Sequence, residues 1–274
     1  MKTQKIVFIG AGNMANALIA GLLADGLNAK NIWASDPSDK NLTALEQAYK
    51  INTLSDNKAA VSNADIVVLS VKPQILKKVC EEIKPAVCDK NPMVISIAAG
   101  IEIKHLAAWL GETTALVRAM PNTPALIKTG ATGLFANEFV NEDQKSIAEE
   151  VMRAVGVALW VDTENQMDYV TALSGSGPAY FFRIMEVMEK AACDLGLPEK
   201  TAHLLTLQTA LGAAKLAMES NDSLGTLREK VTSPGGTTEK GLAAMNDSGI
   251  ESLVNKTLNA ASSRAAELAK EYGE

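Results

Sequence analysis

The chain has 274 residues, enough for one large domain or two of ordinary size. Its 26 basic and 32 acidic residues give a formal net charge of −6. That balance argues against nucleic acid as the main partner, because phosphate binding needs clustered Lys and Arg. No apolar run approaches the ~18 residues that a membrane span requires, and the N-terminus has no signal-peptide pattern. We therefore expect a cytoplasmic protein with no membrane partner.

The cysteines and histidines are few and scattered. Cys80, Cys88 and Cys193 form an odd set without CxxC spacing, which is typical of reduced thiols in the cytosol. His105 and His203 are the only histidines. The sequence therefore predicts neither a bound metal nor a histidine-based catalytic triad.

The first elements are a strand, a glycine turn and a helix. Residues 6–9 are four apolar residues that predict a buried strand, and a helical pattern begins at Asn13. Between them, Gly10 and Gly12 permit a tight turn, and Ala15 provides the small residue that close helix–strand packing needs. This order is the dinucleotide-binding fingerprint, with the pyrophosphate at the helix N-terminus. A turn that only joins strand to helix is the less favoured alternative.

Strands then alternate with helices, which predicts a doubly wound α/β domain of the Rossmann type. Further strands are predicted at residues 31–35, 64–71, 93–97, 115–120, 132–136 and 157–161, and helices at 40–50, 75–83, 103–110 and 142–155. In such a sheet the ligand binds beyond the carboxyl ends of the strands. The predicted cofactor contacts at these ends are Ile9, Gly10, Ala11, Gly12, Asn13, Met14, Ser35, Asp36, Ser70, Val71, Lys72, Pro73, Ile97, Ala98 and Ala99.

Two charged residues at these strand ends have two interpretations each. Asp36 follows the glycine turn by about twenty residues, where an acidic side chain accepts from the ribose hydroxyls and would repel a 2′-phosphate. An Asp-Pro turn explains Asp36 equally well. Lys72 could contact phosphate or act as an acid. The preferred interpretation is that Lys72 and Pro73 only end the strand, with the backbone making the contact.

Beyond Asp162 the alternation stops and only helices follow. They are predicted at residues 168–173, 178–195, 198–220, 224–231, 237–246 and 250–272. The predicted domains are therefore 1–162, which binds the dinucleotide, and 163–274, which is helical. Residues 180–188 are apolar over most of the helix circumference and must be widely buried. A second subunit would bury them better than one chain can, so a homodimer is predicted.

Two loops of the helical half place small hydroxyl residues and glycines directly before a helix. They are Leu-Ser-Gly-Ser-Gly-Pro-Ala-Tyr at 173–180 and Val-Thr-Ser-Pro-Gly-Gly-Thr-Thr at 231–238. Each presents N–H groups and hydroxyls at the positive end of a helix, which suits a substrate carboxylate. Ordinary N-capping is the alternative, but two such loops in one domain favour an anion site.

The motifs stand in the order and spacing of the pyrroline-5-carboxylate reductase family, which essentially the whole chain resembles. They lie at residues 10–14, 71–73, 96–100, 118–124, 173–180 and 233–238. The resemblance implies an N-terminal Rossmann domain and a C-terminal helical dimerisation domain. It also implies that NADPH or NADH reduces the cyclic imine 1-pyrroline-5-carboxylate to L-proline, the last step of proline biosynthesis. Dimers of the family often form a decamer, with the active site between one subunit's cofactor domain and helices that include the partner's.

The same resemblance, together with the two loops, assigns roles to single residues. The predicted substrate-binding residues are Glu164, Ser174, Ser233, Gly235, Gly236, Thr237 and Thr238. Asn57 joins the cofactor contacts by the family pattern, and the Thr238 hydroxyl is expected to hydrogen-bond the ring nitrogen as the catalytic contact. A solvated turn residue explains Glu164 about as well. Because such imines protonate near neutral pH, the enzyme mainly has to align the reactants and exclude water, so no strong general acid is needed.

The chain departs from the family pattern in two places. Ser-Leu-Gly at 223–225 replaces the usual His-Pro-Gly and Lys230 stands where some members have Asn, so contacts of residues 221–230 are open. Asp36 stands where many relatives carry Ser, Thr or Arg near the 2′-phosphate, so the choice between NADPH and NADH is also open.

Two other classes of protein share part of these features. A β-hydroxyacid dehydrogenase needs a helix lysine with Asn four residues on, but Lys215 is followed at that distance by Glu219. A non-catalytic dinucleotide sensor would have no need of two carboxylate-binding loops. Both therefore rank behind the reductase.

Overall fold

The structure, a computed structural model, describes residues 3–273. Within them, the strands are β1 (Ile6–Ile9), β2 (Ile32–Ser35), β3 (Asn52–Leu54), β4 (Ile66–Leu69), β5 (Met93–Ser96), β6 (Leu116–Met120), β7 (Gly130–Ala136) and β8 (Gly156–Trp160). They form one sheet in the order β3-β2-β1-β4-β5-β6-β7-β8. β1 to β6 are parallel, whereas β7 pairs antiparallel with β6 and parallel with β8. The predicted doubly wound sheet is confirmed.

The α-helices of the described residues are α1 (Asn13–Ala24), α2 (Asp39–Tyr49), α3 (Asn57–Val61), α4 (Pro73–Lys90), α5 (Ile103–Leu110), α6 (Glu142–Arg153), α7 (Gln166–Val170), α8 (Gly177–Asp194), α9 (Glu199–Glu219), α10 (Leu224–Lys230), α11 (Thr237–Asp247) and α12 (Ile250–Gly273). Short 3-10 turns occupy Ala29–Asn31 and Thr123–Ile127, and a π-helical turn occupies Thr171–Gly175. No helix in this part of the chain is both long and apolar enough to cross a membrane.

The core lies on both faces of the sheet, because successive side chains of a strand point to opposite sides. In β1, Phe8 belongs to the same buried cluster as residues of α1, α2 and α6, while Val7 belongs to the cluster with residues of α3, α4 and α5. Both side chains are fully buried. A strand buried on both faces has no polar alternation, which is why β1 and β4 could be recognised as apolar runs.

Three elements differ most from the prediction, and the helix predicted at 168–173 is α7 followed by the π-helical turn. β3 and α3 were not expected, since Asn52–Leu54 and Asn57–Val61 are short and carry polar residues without a clear period. α4 is longer than the predicted 75–83: it begins at Pro73, where a proline fits the first helical position, and continues past Pro85 to Lys90. Proline is unfavourable inside a helix, and this hid the second half of α4 from the sequence pattern.

By packing, the described residues form two units. The first unit consists of two segments, the chain up to Ser176 and the chain from Ala260 onward. The second unit is Gly177–Asn259. These units differ from the predicted domains 1–162 and 163–274, because residues 166–175 pack on β7 and the end of α12 packs on the loop after β5. Met167 is fully buried, and Leu268 lies 3.2 Å from where a Cβ of Gly100 would be.

The second unit leaves much of its apolar surface exposed. α8 and α9 pack on each other, with Ala202 and Thr206 buried in α9. The large apolar residues of α8 and α9 that remain exposed in the single chain are Phe181, Phe182, Ile184, Val187, Met188, Leu204, Leu205, Leu207, Leu211, Leu216 and Met218. An apolar surface of this kind marks a contact with another molecule.

Candidate active site

The glycine turn after β1 is closely packed at its first glycine. Gly10 has φ +101°, and a Cβ there would lie 2.8 Å from the Ser70 carbonyl oxygen. Its N–H donates to the Ser35 carbonyl at 2.7 Å. Glycine is thus required at position 10 for two reasons: its φ is positive, and the backbone after β4 leaves no space for a Cβ.

The second glycine leaves space at the start of α1. Gly12 is the N-terminal cap residue, with φ −77°, and no side chain of the described residues caps the helix. A Cβ at Gly12 would meet nothing within 4 Å. The first N–H groups of a helix have no intrahelical partner, so α1 presents free donors and a positive dipole end at an open position. Ala15, at the third position of the motif, is fully buried. This arrangement fits a pyrophosphate.

Asp36 connects the end of β2 to the glycine turn. Its Oδ2 accepts the Ala11 N–H at 2.8 Å, and its Oδ1 accepts the Ser38 N–H at 2.8 Å. The bond to Ser38 is the Asx turn that an Asp-Pro sequence favours. The bond to Ala11 holds the carboxylate at the dinucleotide turn. Both interpretations of Asp36 therefore have a structural basis.

Asn57 lies beside the same strand end. The buried Ser35 hydroxyl donates to Asn57 Oδ1 at 2.8 Å, and Asn57 Nδ2 donates to Glu82 Oε1 at 3.3 Å. Asn57 is the first residue of α3, the helix that the sequence did not predict.

The ends of β4 and β5 complete this edge of the sheet. The Ser70 N–H donates to the Ile9 carbonyl at 2.8 Å, and the Ile97 N–H donates to the Leu69 carbonyl at 3.1 Å. Lys72 is exposed and is the N-terminal cap residue of α4, whereas β4 already ends at Leu69, so Lys72 starts the helix and does not itself end the strand. The structure thus brings together, at the carboxyl edge of β1, β2, β4 and β5, the predicted cofactor residues at 9–14, 35–36, 57, 70–73 and 97–99.

Glu164 belongs to a partly buried ionic cluster. Its Oε1 accepts the Ile103 N–H at 2.7 Å and the Arg118 guanidinium at 3.2 Å. Arg118 is only 4% exposed and its second nitrogen lies 3.5 Å from Asp168 Oδ1. Burial raises the pKa of Asp168, and the Arg118 charge opposes that shift. Glu164 is therefore not a solvated turn residue.

Sequence reasoning did not assign a role to Arg118, although it lies in a quoted motif. A charged residue inside the otherwise apolar run 115–120 was the available signal, because buried charges are kept only when they are paired.

Ser174 lies in the π-helical turn and is fixed on two sides. Its hydroxyl donates to the Val170 carbonyl at 3.0 Å, and its own carbonyl accepts from Asn122 Nδ2 at 3.0 Å. Asn122 Oδ1 in turn accepts the Ala131 N–H at 2.9 Å. A Cβ at Gly175 would lie 2.5 Å from Met120 Cε. Asn122 thus joins two motifs that are about fifty residues apart in sequence, a role that pattern reading did not find.

The 233–238 loop lies in the other packing unit and is exposed. The Gly235 N–H donates to Glu239 Oε2 at 2.8 Å, and the Gly236 N–H donates to the Ser233 carbonyl at 2.9 Å. Gly236 is the N-terminal cap residue of α11, which has no side-chain cap in the described structure. Two of the predicted donors are thus internally bonded, and Thr237 and Thr238 begin the helix with N–H groups that lack intrahelical partners.

Two family models match the chain. The model described as pyrroline-5-carboxylate reductase dimerisation matches residues 164–268. The model described as NADP oxidoreductase coenzyme F420-dependent matches residues 5–100.

Individual proteins are similar over nearly the full length. A pyrroline-5-carboxylate reductase of Pseudomonas aeruginosa is 50% identical over 274 residues, covering 100% of both chains. That of Vibrio alginolyticus is 46% identical, covering 98% of this chain and 99% of its own. Among solved structures, the Coxiella burnetii pyrroline-5-carboxylate reductase has a TM-score of 0.95 at 47% identity, covering 97% of this chain and 99% of its own. The Plasmodium falciparum pyrroline carboxylate reductase, solved with NADP bound, has a TM-score of 0.86 at 30% identity, covering 98% and 99%.

Proposed function

The chain belongs to the pyrroline-5-carboxylate reductase family, and from this premise we propose that it transfers a hydride from NADPH or NADH to the C=N bond of 1-pyrroline-5-carboxylate, forming L-proline. The observation that carries the proposal is a pair of glycine-led helix starts without side-chain caps, at Gly12 and at Gly236. One suits the pyrophosphate of a dinucleotide, and the other suits the carboxylate of a small amino-acid-like substrate.

The residues at the carboxyl edge of the sheet fit the cofactor. The open space at Gly12 admits a phosphate group close to the backbone, and Asp36, Ser35 and Asn57 stand at the next strand end for the ribose. Residues 70–73 and 97–99 continue along the edge toward the nicotinamide. The cofactor supplies the hydride, and the chain's own part is to bind and orient it.

For the substrate, we assign the carboxylate to the start of α11. The N–H groups and hydroxyls of Thr237 and Thr238 are the available donors, while Ser233, Gly235 and Gly236 shape the loop through their internal bonds. The Thr238 hydroxyl is assigned to the ring nitrogen, which makes Thr238 the catalytic contact. Ser174 and Glu164, in the first unit, are the other two residues that we propose for the substrate.

The reaction needs no strong general acid or base from the protein. The imine carbon accepts the hydride most readily when the ring nitrogen is protonated, and the hydride and that proton together give the secondary amine of proline. Since the substrate brings this proton itself near neutral pH, the residues mainly align the ring and exclude water.

We further propose that the chain works as a cytoplasmic homodimer, with dimers able to assemble into a decamer. The exposed apolar residues of α8 and α9 lie within residues 164–268, which match the dimerisation model. A second subunit would remove this apolar area from water, which is the main driving force of association.

The structure offers no support for the dehydrogenase alternative at Lys215. This side chain is 70% exposed and pairs with Glu219 at 3.7 Å on the surface of α9. An exposed ion pair of this kind contributes little and does not resemble a buried acid–base lysine.

The test is the loss of reduced-nicotinamide absorbance when 1-pyrroline-5-carboxylate is added to the purified protein, with proline identified as the product. We expect turnover with at least one of NADH and NADPH. Turnover of 3-hydroxy acids without turnover of the imine would overturn the proposal, and cofactor binding without any turnover would favour a sensor.

A further inference from the structure

The carboxylate of Asp36 occupies the position that distinguishes the two nicotinamide dinucleotides. It follows the last residue of β2, Ser35, and is bonded to the glycine turn through Ala11. In a doubly wound sheet, an acidic residue about twenty positions after the glycine turn accepts from the ribose hydroxyls of NAD, whereas NADP carries a phosphate at the 2′ oxygen.

Hydrogen bonds fix this carboxylate in place. Besides the Ala11 and Ser38 N–H groups, each at 2.8 Å, the Asn41 side-chain amide lies 3.5 Å from Oδ1. A carboxylate has about four acceptor positions, so at least one remains for a hydroxyl donor. Rotation away from an incoming ligand would break the bond to the glycine turn.

The charges around Asp36 do not favour a phosphate. Its bonding partners are neutral amide groups, and no Lys or Arg of the described residues forms an ion pair with it. Asp39 and Lys40, exposed side by side in the first turn of α2, carry opposite charges and together add no net charge. A phosphate monoester brings about −1.5 to −2 charges and mainly acceptor oxygens at neutral pH.

We propose that Asp36 makes this chain select NADH over NADPH. The ribose of NADH donates a hydroxyl hydrogen to the fixed carboxylate, while the 2′-phosphate of NADPH meets it as a like charge at short range. The preference therefore resides in this one side chain and not in the fold, and NADPH remains a weaker cofactor. Like charges brought together at a binding site discriminate strongly between ligands.

Two measurements test the proposal on the complete protein. The first is initial rates with 1-pyrroline-5-carboxylate and varied NADH or NADPH, which rests on the proposed function. The second is a fluorescence titration with each reduced cofactor alone, which does not rest on it. We expect kcat/KM and affinity both to favour NADH, by at least about tenfold.

The key variant is Asp36→Asn, which removes the charge but keeps an amide oxygen able to accept the Ala11 N–H. We expect its NADH-to-NADPH ratio to fall at least about fivefold relative to the wild type. Asp39→Asn is the matched control, because it removes a negative charge from the same helix start without touching the glycine turn. Its ratio should stay within about twofold of the wild type.

Equal affinity for the two cofactors, tighter binding of NADPH, or an unchanged ratio in Asp36→Asn would each overturn this inference. Tighter NADH binding without imine turnover would support the inference and remove the proposed function instead. The wild-type titration decides the matter even if the Asn variant does not fold.

Discussion

Glu164 and Arg118, 46 positions apart in sequence, share a hydrogen bond of 3.2 Å. The same Glu164 oxygen accepts the Ile103 N–H at 2.7 Å, so one carboxylate joins β6 to the start of α5. Asp168, 3.5 Å from the other side of the guanidinium, ties α7 to the same point.

Replacing Arg118 by Leu should destabilise the protein strongly, because Glu164 and Asp168 would keep partly buried charges without a counter-charge. We expect a loss of about 3–5 kcal/mol in the free energy of unfolding, measured by urea denaturation near pH 7. Arg153→Leu is the matched control, since Arg153 forms only an exposed pair with Glu149 at 3.4 Å. That control should change stability by no more than about 1 kcal/mol. Equal losses of unfolding free energy in the two variants would contradict the prediction that the Arg118 cluster stabilises the fold more than a surface ion pair does.

Glu164→Gln separates a structural role from a substrate contact. Gln can still accept the Ile103 N–H, but it is neutral and cannot form an ion pair with Arg118. If Glu164 contacts the substrate, KM for the imine should rise about tenfold while cofactor affinity stays unchanged. Asp168→Asn removes the other carboxylate of the cluster and should leave that KM within about twofold. A Glu164→Gln variant that only loses stability would restrict Glu164 to the structural role.

The two glycines of the first turn should respond differently to alanine. At Gly10 a Cβ would clash with the Ser70 carbonyl, and its φ of +101° is strained for other residues, so Gly10→Ala should cost at least about 2 kcal/mol of stability. At Gly12 the space is open and φ is negative, so Gly12→Ala should keep stability within about 0.5 kcal/mol. Its cofactor affinity should nevertheless fall at least about tenfold, because the new methyl stands where the pyrophosphate approaches. Unfolding curves and cofactor titrations on both variants test this pair, and a Gly12→Ala protein with normal affinity would count against the pyrophosphate position.

Thr238→Val keeps the branched shape of the side chain and removes only the hydroxyl. We expect kcat/KM for the imine to fall at least about tenfold, with cofactor affinity unchanged, if the hydroxyl bonds the ring nitrogen. Thr238→Ser retains the hydroxyl and should keep most of the activity. Equal losses of turnover and cofactor binding would remove Thr238 from the substrate site.

His105 should make stability depend on pH. Its ring stacks on Trp109 with centroids 6.0 Å apart, and its Nδ1 is buried without a partner among the described residues. Burial is the main reason that its pKa lies below the ordinary 6.5. Of the charged groups around it, Glu102 and Glu164 raise the pKa, whereas Lys104 and Arg118 lower it.

A histidine with a lowered pKa binds protons more readily in the unfolded chain than in the folded one. The free energy of unfolding should therefore fall as pH drops below about 6.5 and toward the folded pKa, and the contribution is absent well above 6.5. The contribution of His105 is measured by urea unfolding of the wild type and of His105→Gln at about pH 7.5 and pH 5.5. The wild type should lose more stability on acidification than the variant, and parallel losses would contradict the assignment.

The sheet was predictable because β1, β4 and β5 are short runs of apolar, mostly β-branched residues followed by glycine, proline or small residues. β3 was not, since Asn52–Leu54 owes its strand conformation to pairing with β2 and not to its own residues. Local propensity does not contain that information.

The candidate site also has a part that local sequence predicts and a part that it does not. The glycine turn and the start of α11 were readable as local motifs, but Arg118 and Asn122 acquire their roles only when distant segments meet. The use of the Gly235 N–H by Glu239 also depends on a side-chain rotamer that no pattern specifies. Sequence reasoning therefore found the two glycine-led helix starts and missed the side chains that join distant segments.

The π-helical turn at Thr171–Gly175, which follows α7 directly and is closed by the Ser176 N–H on the Thr171 carbonyl at 2.8 Å, contains one residue more than a regular α-helical turn. Each helical position turns the chain by about 100°, so the extra residue decides the direction in which the Ser174 carbonyl points. Deleting Ala172 would restore a regular helix, rotate that carbonyl away from the Asn122 amide and leave both groups unpaired. The segment from residue 164 to residue 174 should therefore not tolerate insertions or deletions, even at positions where single substitutions are harmless.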